Sequence, residues 1–221
     1  MWTAILCDLD GTLIDAHVDI AAAFRQALRR VVAGPLPPPA AIARHIGKPL
    51  LEMAAALGYP LSPPQDAAFL RFYRQAAARR ADRATRPYPG VRETLQRLSP
   101  LAFAVVTTKE TAQARAVLQR LQLAPFFCHV QGWEPGLRLK PAPDTVYAAL
   151  AALRCPPAAA LLVGDTAADI LAGKAAGVAT CAATYGFGDL QALRQARPDY
   201  WLAAFADLIP LVRRPPAPAG H

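Results

Sequence analysis

The sequence predicts an α/β fold in which helices cover both faces of a parallel sheet, and three observations lead to this prediction. From residue 91 onward, short apolar segments alternate with segments of helical periodicity. The apolar segments are continuous, as in strands that are buried on both faces. One further apolar strand opens the chain, and a long helical stretch separates it from the rest. We therefore expect the first strand and the later part of the chain to build one sheet.

The first strand is predicted at residues 3–8, and the stretch after it is predicted to be helical throughout. Ile20, Phe24 and Leu28 recur at helical spacing in the first helix of this stretch. Gly34 and the prolines that follow it end this helix, because proline cannot continue one. The helices expected here cover residues 16–33, 50–57 and 65–81, and a short segment at 40–46 connects the first two.

The motif Pro87-Tyr88-Pro89-Gly90 marks the return of the chain to the α/β pattern. The strands predicted after it are 102–107, 126–131, 160–164 and 178–183, and a short apolar Tyr-Trp-Leu segment closes the core. The helices predicted there are 91–98, 111–121, 143–153, 166–175, 189–195 and 204–213. We predict a core domain of residues 1–14 and 86–214, an inserted helical domain of residues 15–85 and a disordered tail of residues 215–221.

Composition narrows the classes of function. The chain has 221 residues, 54% of them hydrophobic, and a formal net charge of +8. A basic balance is compatible with an anionic partner, but no nucleic-acid-binding motif is present, so we expect no nucleic-acid partner. No apolar run reaches the length of a membrane span and no signal peptide is evident, so we expect a cytoplasmic protein without a membrane partner. We also expect a monomer or a homodimer. Four widely spaced cysteines predict reduced, buried thiols: Cys7, Cys128, Cys155 and Cys181.

Two aspartates follow the first strand at a spacing of two residues. Asp8 and Asp10 lie in the segment Cys7-Asp8-Leu9-Asp10-Gly11-Thr12, where the strand is expected to end. Two carboxylates held close together repel each other and favour a cation or a shared proton between them. Gly11 permits a sharp turn and a close approach of the backbone to a ligand.

Three further motifs place polar side chains at strand ends or in a neighbouring loop. Thr107 ends the apolar segment at 102–107 and Thr108 follows it, where a hydroxyl can contact a phosphate oxygen. Lys140 lies in the segment Lys-Pro-Ala-Pro-Asp, whose prolines stiffen the loop around a compact cationic group. Asp165 and Asp169 follow the strand at 160–164, one helical turn apart. Ligands bind at the carboxyl edge of open α/β sheets, and carboxylate oxygens suit Mg²⁺.

Together these four motifs resemble the signature of the haloacid dehalogenase-like superfamily in its phosphatase form, and most closely that of the phosphoglycolate phosphatases. The resemblance covers nearly the whole chain. It implies a Rossmann-like core with an inserted helical cap of the first type. It also implies a Mg²⁺-dependent phosphatase that hydrolyses a small anionic phosphomonoester through an aspartyl-phosphate.

The resemblance assigns roles to the residues of the motifs. Asp8 is the expected nucleophile and Asp10 the expected general acid and base. Thr107 and Lys140 are expected to stabilise the phosphoryl oxygens. The resemblance implies that the metal ligands are Asp8, the backbone carbonyl of Asp10, Asp165 and Asp169.

Substrate contacts outside the shared motifs are less strongly indicated. Thr108 stands where close relatives often have Asn, so a substrate contact at this position is an open question. Arg44 precedes, and Lys48 belongs to, the segment His45-Ile46-Gly47-Lys48-Pro49, which resembles the cap loop reaching toward the substrate in related phosphatases. We predict that both cations bind a substrate carboxylate or second phosphate, with a basic surface turn as the alternative.

Other functions use the same core. A pyrophosphatase and a phosphosugar mutase are alternatives, and a non-catalytic binding protein on this fold is a third. Such a binding protein would be free to lose the motif residues, which are all present. A true haloacid dehalogenase is disfavoured because that branch generally lacks a counterpart of Asp10. A serine hydrolase is disfavoured because the chain has no G-x-S-x-G motif.

Overall fold

A computed structural model describes residues 2–80 and 84–213, and it confirms the predicted α/β fold. Six parallel strands form one sheet in the order β5-β4-β1-β6-β7-β8, and two short strands, β2 and β3, form a second. The strands are β1 (Ala4–Cys7), β2 (Ile14–Asp15), β3 (Arg86–Pro87), β4 (Ala102–Glu110), β5 (His129–Trp133), β6 (Ala160–Gly164), β7 (Ala179–Ala183) and β8 (Tyr200–Leu202).

Ten α-helices lie in the described part of the chain. They are α1 (His17–Leu28), α2 (Pro39–Ala43), α3 (Leu50–Ala56), α4 (Pro63–Arg80), α5 (Val91–Arg97), α6 (Thr111–Arg120), α7 (Asp144–Leu153), α8 (Ala167–Ala175), α9 (Leu190–Ala196) and α10 (Leu208–Arg213). Short 3₁₀ helices cover Ala124–Phe126, Pro157–Ala159 and Phe205–Asp207. No described helix is both long and apolar enough to cross a membrane.

The chain divides into two compact units, which we describe separately. The first contains residues 1–15 and 87–221, and the second contains residues 16–86. Assigning these units to a catalytic core and a cap remains our proposal. The predicted tail at 215–221 lies outside the described residues.

Strand β1 lies at the centre of the six-stranded sheet. Its register pairs Cys7 with Val105 of β4 on one side and with Val163 of β6 on the other, so the three strands run level toward their carboxyl ends. All residues of β1 and β6 are buried because apolar side chains cover both of their faces. This packing and pairing fix the positions of the residues after β1 and β6 relative to those of β4.

Several element boundaries differ from those predicted. Strand β4 extends to Glu110, past an irregularity in its pairing with β5. Strand β5 begins at His129, later than predicted, because the residues around Pro125 form a 3₁₀ helix. Helix α1 ends at Leu28, and the next residues form turns bonded at i→i+3, such as Val31 N–H to the Leu28 carbonyl at 2.9 Å. Strands β2 and β3 were not predicted.

The four cysteines are free, but the predicted burial is confirmed for only two of them. Cys7 and Cys181 lie within buried strands, as their apolar neighbours indicated. Cys155 is partly buried and Cys128 is exposed. Cys128 precedes β5 by one residue, so the late start of that strand leaves this side chain outside the sheet.

In the second unit, α1 and α4 pack together and a buried carboxylate binds the segment that leaves the unit. Phe24 of α1 meets Phe69 of α4 edge to face, with ring centroids 5.2 Å apart. Asp19 of α1 is buried, and its Oδ2 accepts hydrogen bonds from Ala84 N–H, Thr85 N–H and Thr85 Oγ1, each at 2.8 Å. One side chain thus orders the backbone at Ala84 and Thr85.

We expect Asp19→Ala to reduce the free energy of unfolding by roughly 1–3 kcal/mol, because buried donors lose their acceptor. Urea denaturation followed by circular dichroism measures this difference. Glu52→Ala removes an exposed carboxylate of the same unit and is the control, with an expected change within about 0.5 kcal/mol. Equal stability of the two variants would contradict the role given to Asp19.

Candidate active site

Four of the predicted residues meet at the carboxyl edge of the sheet. Asp8 follows β1 directly, and Asp165 follows β6. Lys140 comes from the loop between β5 and α7, and its Nζ donates to Asp8 Oδ1 at 2.7 Å and to the carbonyl of Val106 at 3.0 Å. The same ammonium also contacts Asp169 Oδ1. Lys140 therefore links the end of β1 and the middle of β4 with the start of α8.

The turn after β1 is built around Gly11. Gly11 has a φ of +96°, and a side chain there would overlap the carboxylate of Asp165. The carbonyl of Leu9 accepts from the N–H groups of Leu13 and Ile14, both at 3.0 Å, which closes the turn. Thr12 then donates its hydroxyl to Asp165 Oδ1 at 2.9 Å. The turn therefore positions the carboxylate of Asp165 as well as those of the first motif.

Asp169 has two structural partners in addition to its predicted role. Its Oδ2 accepts from Thr166 N–H at 3.0 Å and from Thr166 Oγ1 at 2.6 Å, which completes a capping box at the start of α8. Its Oδ1 faces Lys140. A side chain on Gly164 would overlap Asp169, so the glycine before Asp165 makes room for this carboxylate.

A loop that we did not assign to the site supports Asp165. Phe187 N–H donates to Asp165 Oδ2 at 2.8 Å, and Tyr185 donates its hydroxyl to the carbonyl of Thr12 at 2.8 Å. Side chains at Gly186 and Gly188 would overlap Asp165. The available signal in the sequence was the pair of glycines on either side of Phe187.

Asp10 stands apart from the other acidic groups and pairs with Lys109, a residue without a predicted role. Lys109 lies near the end of β4, and its Nζ is 3.1 Å from Asp10 Oδ2. Asp10 Oδ1 is buried and has no hydrogen-bond partner among the described residues. A buried carboxylate oxygen of this kind requires an explanation, and a missing ligand is one.

The two threonines at this edge differ in exposure. Thr107 is buried, and its Oγ1 accepts from Lys109 N–H at 3.3 Å, so its own proton stays available for donation to a ligand. Thr108 is partly exposed at the following position. A substrate contact by Thr108 stays a prediction.

The predicted cap contacts belong to the second unit. Arg44 and Lys48 are exposed there. The pKa of His45 is lowered by burial and by the neighbouring Lys48 and Arg44. These charges favour an anion near the loop, and substrate binding by Arg44 and Lys48 stays a prediction.

The acidic groups at the sheet edge carry more negative charge than their surroundings stabilise. Burial raises the pKa of Asp8, and Asp169 and Asp165 raise it further against the opposing effect of Lys140. Burial and Asp169 raise the pKa of Asp165 to about 7. Burial would lower the pKa of Lys140, but Asp169 and Asp8 outweigh this effect and raise it. A further cation would favour the ionised form of these carboxyl groups.

A family model described as haloacid dehalogenase-like hydrolase matches residues 5–183. The chain belongs to this family. The match includes the four motifs and the stretch between them, so the resemblance predicted from the motifs is confirmed at family level.

Among the relatives of this haloacid dehalogenase-like hydrolase, a phosphoglycolate phosphatase of Aquifex aeolicus is 33% identical over 94% of the chain and 95% of the relative. The pyrophosphatase PpaX of Halalkalibacterium halodurans is 32% identical over the same shares of both chains. A solved structure of a haloacid dehalogenase-like family hydrolase from Streptococcus pneumoniae superposes with a TM-score of 0.86 at 28% identity, covering 96% of this chain and 98% of that one.

The side chains present fit a divalent cation. Carboxylate oxygens of Asp8, Asp165 and Asp169 lie within 4.8 Å of one another, and all three residues are buried. With Asp10 included, four carboxylates and the ammonium groups of Lys140 and Lys109 leave a formal charge of −2, which a divalent cation balances. The carboxylate of Asp10 lies toward Lys109, so a contribution of Asp10 through its backbone carbonyl, as the resemblance implies, stays a prediction.

We expect Thr12→Val to lower the free energy of unfolding by about 1.5–3 kcal/mol at pH 8, because Asp165 loses a hydrogen bond to its charged form. Thr94→Val is the matched control: Thr94 is equally buried, and its Oγ1 has no hydrogen-bond partner in the described part of the chain. Urea unfolding of both variants measures the difference. A loss in Thr94→Val as large as that in Thr12→Val would show that the hydrogen bond to Asp165 is unimportant.

Proposed function

We propose that this hydrolase is a Mg²⁺-dependent phosphatase that cleaves a small, anionic phosphate ester of the phosphoglycolate type. The observation that carries the proposal is the position of Lys140, which joins the presumed nucleophile Asp8 to the acidic group of Asp165 and Asp169. A nucleophilic carboxylate, a cation for phosphoryl oxygens and a cluster of metal-binding oxygens are the parts that phosphoryl transfer requires.

In the first step, a carboxylate oxygen of Asp8 attacks phosphorus in line with the leaving oxygen. A bond forms between Asp8 and phosphorus as the bond to the leaving oxygen breaks, and Asp10 in its acid form gives its proton to that oxygen. Lys140 and the hydroxyl of Thr107 stabilise the charge on the non-bridging oxygens. The products of this step are the free alcohol and an aspartyl-phosphate.

In the second step, water hydrolyses the aspartyl-phosphate. Asp10, now a carboxylate, removes a proton from the water as the water attacks phosphorus. The bond between phosphorus and Asp8 breaks, which restores the carboxylate and releases inorganic phosphate. The buried Oδ1 of Asp10, which has no partner among the described residues, supports contact of Asp10 with a reacting group.

Asp8, Asp165 and Asp169 would hold Mg²⁺, which suits oxygen ligands and, when bound, neutralises charge on the phosphoryl oxygens. Without it, the raised pKa values of Asp8 and Asp165 disfavour the ionised forms that the mechanism needs.

The names of the relatives suggest two candidate substrates, phosphoglycolate and pyrophosphate. Both carry a second anionic group beyond the phosphoryl group that is transferred. We propose phosphoglycolate as the first substrate and keep pyrophosphate as the second candidate, which the relative from Halalkalibacterium halodurans favours.

Phosphate release from 2-phosphoglycolate, pyrophosphate, sugar phosphates and nucleotides, with and without Mg²⁺, tests the function. We expect release to depend on Mg²⁺ and to vanish in Asp8→Asn, because the nucleophile is lost. Asp10→Asn should lower kcat by about 10²–10⁴-fold. Glu134→Gln, which changes an exposed carboxylate of the same unit, should retain full activity.

Each of these measurements has an outcome that would contradict the proposal. Full activity of Asp8→Asn would contradict the covalent mechanism. A loss of less than about tenfold in Asp10→Asn would contradict the role of Asp10 as general acid and base. Absence of phosphate release from the whole panel would contradict the proposed function.

We also predict that Arg44→Ala and Lys48→Ala raise KM by about tenfold with little change in kcat, because they remove binding that is equal in the ground and transition states. Arg29→Ala removes an exposed cation of the same unit and should leave KM unchanged. Steady-state kinetics with 2-phosphoglycolate measures both constants. Unchanged KM values for Arg44→Ala and Lys48→Ala would favour the basic surface turn instead.

A further inference from the structure

The carboxyl edge of the sheet carries two lysines with different surroundings. Lys140 is 3% exposed and lies between Asp8 and Asp169. Lys109 is 14% exposed, and its partner Asp10 is 15% exposed. Solvent, and therefore a ligand, reaches the second pair more readily than the first.

Lys109 and the proposed metal-binding groups lie on different sides of the nucleophile. Strand β1 has β6 as one neighbour and β4 as the other. Asp165 and Asp169, the presumed metal-binding groups, follow β6. Lys109 and Thr107 belong to β4. The ammonium of Lys109 therefore lies on the β4 side of Asp8, and the proposed metal site lies on the β6 side.

The partner of Lys109 indicates which part of a substrate this cation meets. A general acid must lie within hydrogen-bond reach of the leaving oxygen. Lys109 Nζ is 3.1 Å from Asp10 Oδ2, so a leaving oxygen that hydrogen-bonds to the same carboxyl group lies close to the ammonium. A charged group on the leaving fragment, one or two bonds from its oxygen, falls within reach of the ammonium.

We propose that Lys109 is a specificity-determining residue that binds the second anionic group of the substrate on the leaving-group side. This inference rests on the proposed function and adds to it a residue that selects the substrate. In the acid form of Asp10 that the first step requires, the carboxylates of Asp8, Asp165 and Asp169 balance Lys140 and a divalent cation, so Lys109 adds a positive charge that an anionic leaving fragment can pair with. Lys109 supplies the compensating charge at that place and favours a carboxylate or phosphate over a neutral group.

The test compares two substrates that differ in this group alone. 2-Phosphoglycolate carries a carboxylate in its leaving fragment, and 2-hydroxyethyl phosphate carries a neutral hydroxymethyl group in its place. We expect the wild-type protein to prefer 2-phosphoglycolate in kcat/KM. Lys109→Met should reduce that preference at least about tenfold, through the loss of the charge partner. Lys109→Arg, which keeps a cation, should retain most of it.

Two further variants complete the design. Lys109→Gln keeps a hydrogen-bond donor beside Asp10 without the charge, and it replaces Lys109→Met if that variant does not fold. Lys174→Gln removes a lysine from the last turn of α8 and changes the net charge equally, so it should leave the preference unchanged.

The outcomes separate this inference from the proposed function. Hydrolysis of both substrates without preference in the wild type would overturn the role of Lys109 and leave the phosphatase intact. An equal loss on both substrates in Lys109→Met and Lys109→Gln would also overturn it, since Lys109 would then merely position Asp10. Failure of the wild type to hydrolyse either substrate would contradict the phosphatase function and this inference with it.

Discussion

The buried ammonium of Lys140 is the interaction on which the rest of the site depends. Three carboxylates in a buried space repel one another, and burial raises the pKa values of Asp8 and Asp165. Lys140 offsets part of this repulsion through Asp8 and Asp169 while it also donates to the carbonyl of Val106. Removing one partner of a buried ion pair typically costs about 3–5 kcal/mol, so the loop that carries Lys140 is constrained by charge as well as by its prolines.

The sheet makes this arrangement possible because its central strands are held in register. Cys7, Val105 and Val163 are paired across β1, β4 and β6, and Asp8, Thr107 and Asp165 follow these paired residues by one or two positions. Apolar packing on both faces sets these positions, so the packed core determines where the polar side chains at the sheet edge lie. The glycines at 11, 164, 186 and 188 have a related role, because each leaves space that a carboxylate of Asp165 or Asp169, or the Asp165 backbone, fills.

The parts of the site that the sequence predicted are those encoded locally. Asp8 and Asp165 each follow an apolar strand directly. The position of each carboxylate is therefore fixed once the end of its strand is known. The contact of Lys109 with Asp10 and the support of Asp165 by Thr12 and Phe187 depend on which strands are neighbours and on where long side chains point, which periodicity does not reveal. The same reason explains Cys128, whose exposure depends on the residue at which β5 begins.

In the proposed function, the two lysines divide the tasks of catalysis and selection. Charges that are fixed in a buried space need no reorganisation when charge develops on the phosphoryl group, which suits Lys140 to the transition state. A cation that solvent reaches can exchange one anionic partner for another at smaller cost, because neither state is fully desolvated. Lys109 meets that condition and contacts Asp10, the proposed proton donor to the leaving oxygen. The proposed function thus joins recognition of the leaving fragment and proton transfer to it in one pair of side chains.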